Sequence, residues 1–122
     1  MKKDELVVIA GAGGFIAGAL ARYFQEKGFA RIRAVDKKPL PQWYQRVPDV
    51  ECLSLDLSQE KNCRRVVEGA AEVYNLAADM GGMGFIEHNR VDCLRSILIN
   101  THMLESAWRA GAARLAWTWC AQ

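Results

Sequence analysis

The stretch Val7-Val8-Ile9-Ala10-Gly11-Ala12-Gly13-Gly14-Phe15-Ile16-Ala17 decides how this chain folds. An apolar run stops at a glycine cluster, and an apolar helical pattern begins at once. That order is the strand, tight turn and helix of a dinucleotide-type βαβ unit, in which the helix N-terminus points at a pyrophosphate. The spacing is not G-x-G-x-x-G, because Ile16 stands at its last position; it is G-x-x-G-x-x-A, through Gly11, Gly14 and Ala17. Gly11 allows the tight turn, Gly14 lets backbone approach a pyrophosphate, and Ala17 keeps the helix close to the sheet. A glycine-rich turn with no ligand is the alternative.

Working outward, Leu6 to Ala10 is too short for a helix and reads as a buried parallel strand. Phe15, Ala19 and Tyr23, with Ile16, Leu20 and Phe24, make one apolar helical stripe that Gly28 closes. Arg31 to Asp36 is a second strand. Lys37 to Pro48 holds all three prolines and is a connection with room for one short helical turn. Val50 to Leu57 is a third strand, and Ser58 is placed to cap a short helix carrying Cys63, Val66 and Val67 up to Gly69. Glu72 to Ala78 is a fourth strand, followed by the glycine-rich loop Asp79 to Phe85. A longer helix places Val91, Leu94, Ile97, Leu98, Thr101, Leu104 and Trp108 on one face and ends at Gly111; Arg114 to Trp119 is a fifth strand. Strands alternating with helices predict an α/β, Rossmann-like, doubly wound parallel sheet in one domain over 1–122, of order 3-2-1-4-5 and stopping after strand five.

Composition narrows the classes. The 122 residues are 51% hydrophobic and 25% charged, with 16 basic against 14 acidic side chains spread along the chain. No basic block argues for nucleic acid or a membrane surface, and no apolar run approaches the ~20 residues that cross a bilayer. The cysteines, at 52, 63, 93 and 120, lack the close spacing of metal knuckles or redox pairs, so no metal site is expected and the setting reads as reducing and cytoplasmic. Glu87-His88 and His102 form no ligand cluster. Trp117 and Trp119 alternate on the last strand and share a face, a candidate self-association surface.

Four features point to one cofactor. After the glycine turn, Asp36 ends strand two about 20 residues on, where a carboxylate accepts from both ribose hydroxyls and repels a 2′-phosphate. This favours NAD over NADP and predicts that Asp36→Ala loses NAD and gains NADP, although Lys37 and Lys38 can offset the repulsion. Asp56-Leu57 ends strand three beside the expected adenine pocket; a turn-forming Asp is the plain reading. Leu76, Ala77 and Ala78 end strand four, where small residues let backbone run against the cofactor.

These motifs, with Asn75-Leu76-Ala77-Ala78, resemble the extended short-chain dehydrogenase/reductase family of sugar-nucleotide epimerases and dehydratases. The run from Asn75 through Gly81, Gly82 and Met83 to Ile86 is similar to the GDP-mannose 3,5-epimerase branch. The resemblance implies NAD contacts at Gly11, Gly14, Phe15, Ile16, Asp36, Asp56, Leu57, Leu76, Ala77 and Ala78. It implies contact with a GDP-mannose-like nucleotide-sugar at Gly81, with Gly82 and Met83 alongside. It also implies transient oxidation of a sugar hydroxyl by NAD, which acidifies the neighbouring C–H bonds.

Such chemistry calls for a Ser or Thr after strand five and a Tyr-x-x-x-Lys on the next helix, the Lys lowering the Tyr pKa. The resemblance to the 3,5-epimerases also implies a Cys and a Lys for proton exchange at carbon, but beyond Arg114 this chain departs from the pattern: the serine position falls on Cys120 and that cysteine's position on Gln122. No Tyr-x-x-x-Lys follows, all three tyrosines lying upstream at 23, 44 and 74. No catalytic residue is therefore assigned. Two functions are expected: the NAD-binding portion of a truncated or frameshifted epimerase, inactive alone, or a non-catalytic nucleotide-binding or interaction module.

Overall fold

A computed structural model describes residues 2–77 and 90–117. Five parallel strands form one sheet in the order β3-β2-β1-β4-β5: β1 (Leu6–Ala10), β2 (Arg31–Asp36), β3 (Glu51–Ser54), β4 (Ala70–Asn75) and β5 (Arg114–Trp117). Among the described residues three helices connect them: α1 (Phe15–Glu26), α2 (Glu60–Val67) and α3 (Arg90–Arg109). A single 3₁₀ turn, Leu40–Gln42, stands in the proline-rich connection. The topology is the expected one.

The central strand shows why its sequence is an unbroken apolar run. All five residues of β1 are buried, but they alternate between two cores. Val7 and Ile9 pack with Ala17, Ala21, Phe24 and Trp43, whereas Leu6, Val8 and Ala10 pack with Cys63, Val66, Val67 and Met103. A strand covered on both faces has no polar side to show. Arg33 fastens β2 to its neighbours: its Nε donates to Glu51 Oε1 at 2.7 Å and its Nη1 to the Val66 carbonyl at 2.7 Å. The guanidinium thus serves a carbonyl at the C-terminal end of α2, where helices leave acceptors unpaired. Gly28, Gly69 and Gly111 follow the three helices with φ of +90°, +78° and +80°, the left-handed exit expected of each.

Several expectations shift. The third and fourth strands are shorter at their C-terminal ends than the patterns indicate, so Asp56, Leu57, Leu76 and Ala77 lie just beyond the strands. Ser58 does not cap α2. Gln59 holds that position with no side-chain bond, and Ser58 instead donates its N–H (2.9 Å) and hydroxyl (2.7 Å) to Asp56 Oδ1. In α1 the buried face is Ala17, Gly18, Ala21 and Phe24, the first three small enough to bring the helix close to the sheet; Phe15, Ile16 and Tyr23 are exposed. The predicted stripe of α3 also faces out. Val91, Leu94, Ile97, Leu98, Leu104 and Trp108 are exposed, while Ser96, Ile99, Met103, Ser106 and Ala107 hold the helix to the core. The narrower strip is the one that packs on the core, where Ile99, Met103 and Ala107 join Cys63, Val66 and Val67 of α2. Residues 118–122, which include Trp119 and Cys120, lie outside the described residues.

Cys63 is fully buried, and its thiol donates to the Leu57 carbonyl at 3.0 Å. Burial, with the nearby Asp56 and Glu60 carboxylates, pushes the thiol up to about 12. The fold therefore favours the protonated form, and this stabilisation is whole below pH 9 and lost as pH rises toward 12. We predict that iodoacetamide at pH 8 leaves Cys63 unmodified in the folded chain and alkylates it in urea, read by peptide mass spectrometry. Modification of Cys63 at the rate of a free thiol under native conditions would refute the burial.

Candidate functional site

The glycine turn is pinned before any ligand arrives. The N–H groups of Gly11 and Ala12 both donate to the Val35 carbonyl, at 2.7 and 3.0 Å, and Gly14 N–H donates back to the Gly11 carbonyl at 3.0 Å. Gly11 has φ +81°, and a Cβ there would stand 2.6 Å from the Leu76 carbonyl carbon and oxygen. Only glycine lets the ends of β1 and β4 close to this distance. Gly14 differs: with φ −89°, its Cβ would meet only the Gly11 carbonyl oxygen, at 3.4 Å, so the space above it is open.

From that turn α1 starts with no side-chain cap and no acidic residue in its first turn. Its leading N–H groups, which have no acceptor within the helix, and its positive dipole end are left for an anion. Phe15 and Ile16 are 62% and 72% exposed and do not line the cavity, so their part in such a site is through their backbone.

The cavity beneath the turn measures about 160 Å³ and runs from Gly11 and Gly14 past Asp36 to Asp56 and Leu57, with Leu76 and Ala77 on its other side. This is roughly ten times what one water needs, at ~10–15 Å³ each. The structure thus brings together seven of the residues expected to hold the cofactor. It adds Lys37 and Lys38, expected only as charges beside Asp36, and Leu55 and Ile99, which sequence reasoning missed. Ile99 was findable in principle: with Met103 it forms the four-residue repeat of the inward strip of α3.

Asp36, 9% exposed, accepts the Gly13 N–H on Oδ2 and the Lys38 N–H on Oδ1, both at 2.9 Å. A carboxylate has about four acceptor sites, so two remain for ribose hydroxyls. Asp56 is held below the usual carboxylate range, chiefly by the Ser58 backbone and hydroxyl bonds and further by Lys37 and Arg95. It is the turn-forming Asp and a charged wall of the cavity at once. Asn75, 2% exposed, shapes the end of β4 by accepting from Ala77 N–H at 3.2 Å and donating to Asn100 on α3. An uncapped helix start, an open glycine and two carboxylates around one cavity fit a dinucleotide's pyrophosphate, ribose and adenine.

Ala78, Gly81, Gly82, Met83, Glu87 and His88 lie outside the described residues. Among the described residues no cluster of His, Cys, Asp or Glu could hold a metal, and no helix is long and apolar enough to cross a membrane. A Tyr-x-x-x-Lys spacing does occur at Tyr23 and Lys27, far upstream of strand five. It stands at the far end of α1 from the glycine turn, with Lys27 Nζ over the Tyr23 ring at 5.5 Å from its centroid. That is a surface cation–π contact away from the cavity.

Known proteins resemble this arrangement. GDP-mannose 3,5-epimerase of Arabidopsis thaliana is 40% identical over 109 residues, and GDP-mannose 3,5-epimerase 1 of Oryza sativa subsp. japonica is 39% identical over 112. Each alignment covers 88% of this chain and 29% of the relative, so the chain spans under a third of the proteins it matches. Among solved structures, MoeE5 in complex with UDP-glucose and NAD superposes with a TM-score of 0.77 at 26% identity, over 92% of this chain and 35% of that one. Pen from Bacillus thuringiensis, at 17% identity, gives 0.84 over 96% and 38%, a likeness of fold alone. Residues 7–119 match the NAD dependent epimerase/dehydratase family, which takes in the glycine turn, every described wall of the cavity and the strand beyond Arg114. The chain belongs to the NAD dependent epimerase/dehydratase family.

Proposed function

We propose that these residues are the NAD-binding portion of a nucleotide-sugar epimerase of the GDP-mannose 3,5-epimerase kind. The observation that carries the reading is the single cavity that joins the glycine turn to Asp36 and Asp56. In this reading the backbone N–H groups at the start of α1 bind the pyrophosphate, and Gly14 leaves room for it. Asp36 accepts from the ribose hydroxyls, Asp56 from the adenine amino group, and Leu57 packs on the ring. Leu76, Ala77 and Ala78 lie along the far half. When bound, NAD supplies a reversible hydride acceptor; this chain holds and orients it. The likeness of the 75–86 run to the epimerases supports a GDP-mannose-like substrate near Gly81, Gly82 and Met83.

The same proposal includes self-association through β5, an edge strand paired on one side with β4, and a reducing, cytoplasmic setting. A second reading is a nucleotide-binding module without catalysis, since each residue assigned to the cavity holds a cofactor and none is given a part in a reaction.

Calorimetric titration of the chain with NAD and with ADP-ribose tests the site. All the assigned polar contacts are to the adenosine and pyrophosphate, so ADP-ribose is expected to bind within about threefold of NAD, a difference under ~1 kcal/mol. No saturable heat with either ligand would end the reading. Incubation with GDP-mannose and NAD decides between the two functions. We expect no epimerised sugar by NMR from these residues alone, and turnover would show that a catalytic set is present after all.

A further inference from the structure

Trp43 lines no part of the cofactor cavity, yet it closes a ring of bonds around the carboxylate that does. It is 7% exposed, and its indole N–H donates to the Lys38 carbonyl at 2.9 Å. That carbonyl also accepts the Ser54 hydroxyl at 3.0 Å, and the Lys38 N–H is the donor to Asp36 Oδ1 at 2.9 Å. Lys38 is thus fixed on one side by the indole and on the other by the carboxylate. The carboxylate's second oxygen takes the Gly13 N–H at 2.9 Å, and the Gly13 carbonyl takes the Tyr44 N–H at 2.9 Å. The chain of contacts therefore runs from residue 13 to 36, 38, 43 and 44 and back to 13. The fit is tight: a Cβ on Gly13 would stand 2.9 Å from Asp36 Cγ and 3.1 Å from Trp43 Cδ1.

We propose that Trp43 is a positioning residue for cofactor choice, which through Lys38 holds the Asp36 carboxylate in one orientation beside the ribose site. The inference rests on the assignment of Asp36 to the ribose. A carboxylate tied to two backbone N–H groups cannot swing aside, so its acceptors meet a 2′-hydroxyl and its charge meets a 2′-phosphate. Once the indole bond is gone, the Lys38 carbonyl keeps the Ser54 hydroxyl but loses its buried donor, and Lys38 and the carboxylate it holds loosen together. NAD then loses an aligned acceptor, whereas NADP loses part of a repulsion.

Trp43→Phe keeps the ring and removes the donor. Titrating wild type and variant with NAD and NADP, alongside thermal unfolding, reads the effect. We expect NAD affinity to fall about fivefold, the scale of one hydrogen bond, while NADP affinity holds or rises, so that the NAD-to-NADP ratio drops at least fivefold. A purely structural role would weaken both cofactors in proportion, and that result, or an unchanged ratio, overturns the proposal. If Trp43→Phe does not fold, Ser54→Ala removes the other donor to the Lys38 carbonyl from an exposed site; a lower ratio supports the proposal and an unchanged ratio overturns it. Wild type that binds neither cofactor overturns the Asp36 reading and this inference together. Binding with an unchanged ratio overturns this inference alone.

Discussion

Gly11→Ala is expected to destabilise the chain by about 3 kcal/mol and to abolish NAD binding. Two costs add. A non-glycine residue held at φ +81° pays roughly 1–2 kcal/mol for the left-handed backbone. The new methyl would also press on the Leu76 carbonyl carbon and oxygen at 2.6 Å and on the Ala77 nitrogen at 2.8 Å. Those atoms are backbone, held in turn by the Leu76 N–H bond to the Ala10 carbonyl at 3.0 Å, so they cannot step aside, and overpacking adds about 1–3 kcal/mol. Against a total stability of about 5–15 kcal/mol for a small domain, the loss is large. Urea unfolding followed by circular dichroism measures it. Gly14→Ala is the control, since its φ is ordinary and its nearest neighbour is 3.4 Å away. It should unfold within about 0.5 kcal/mol of wild type while still weakening NAD, because the methyl occupies the open space above the turn. Equal unfolding midpoints for both variants would refute the distinction.

Asp36→Ala is expected to cost more than a ribose contact. The carboxylate is the acceptor for two backbone N–H groups, those of Gly13 and Lys38, and each is left unsatisfied at about 1–3 kcal/mol. A destabilisation of roughly 2–6 kcal/mol should accompany the loss of NAD binding. The simple exchange of NAD for NADP that the sequence suggests should therefore not appear. Removing the charge also loosens the turn on which either cofactor's pyrophosphate sits. Asp36→Asn, which keeps one acceptor oxygen, should fall between. A stable Asp36→Ala variant that binds NADP tightly would show that the turn stands without its carboxylate.

The first half of the fold was legible because its signals are local. β1 and β2 begin and end where the apolar patterns do, and Gly28 stops α1 as a glycine past a helix end should. The strand ends nearest the site were less legible. Leu57 and Leu76 look like strand residues by composition, but the strands have stopped before them, and both face the cavity from the loops. The double duty of Asp36 was invisible, because the Gly13 N–H and the Lys38 N–H reach it only once the proline-rich connection has folded back. The exposed side of α3 misled for a related reason. Periodicity reports that an apolar face exists, whereas the packing of Ile99, Met103 and Ala107 into the core decides which face is buried.

That narrow seam has a kinetic consequence. α3 is 20 residues long, yet within it only Ser96, Ile99, Met103, Ser106 and Ala107 are buried among those described. Two of the five are serines, so little apolar surface resists its separation from the sheet. In amide hydrogen exchange α3 should behave as the first cooperative unit to open, well before β1, whose side chains are buried on both faces. Its protection factors would then report a sub-global opening, and those of Val7 to Ile9 the unfolding of the whole chain.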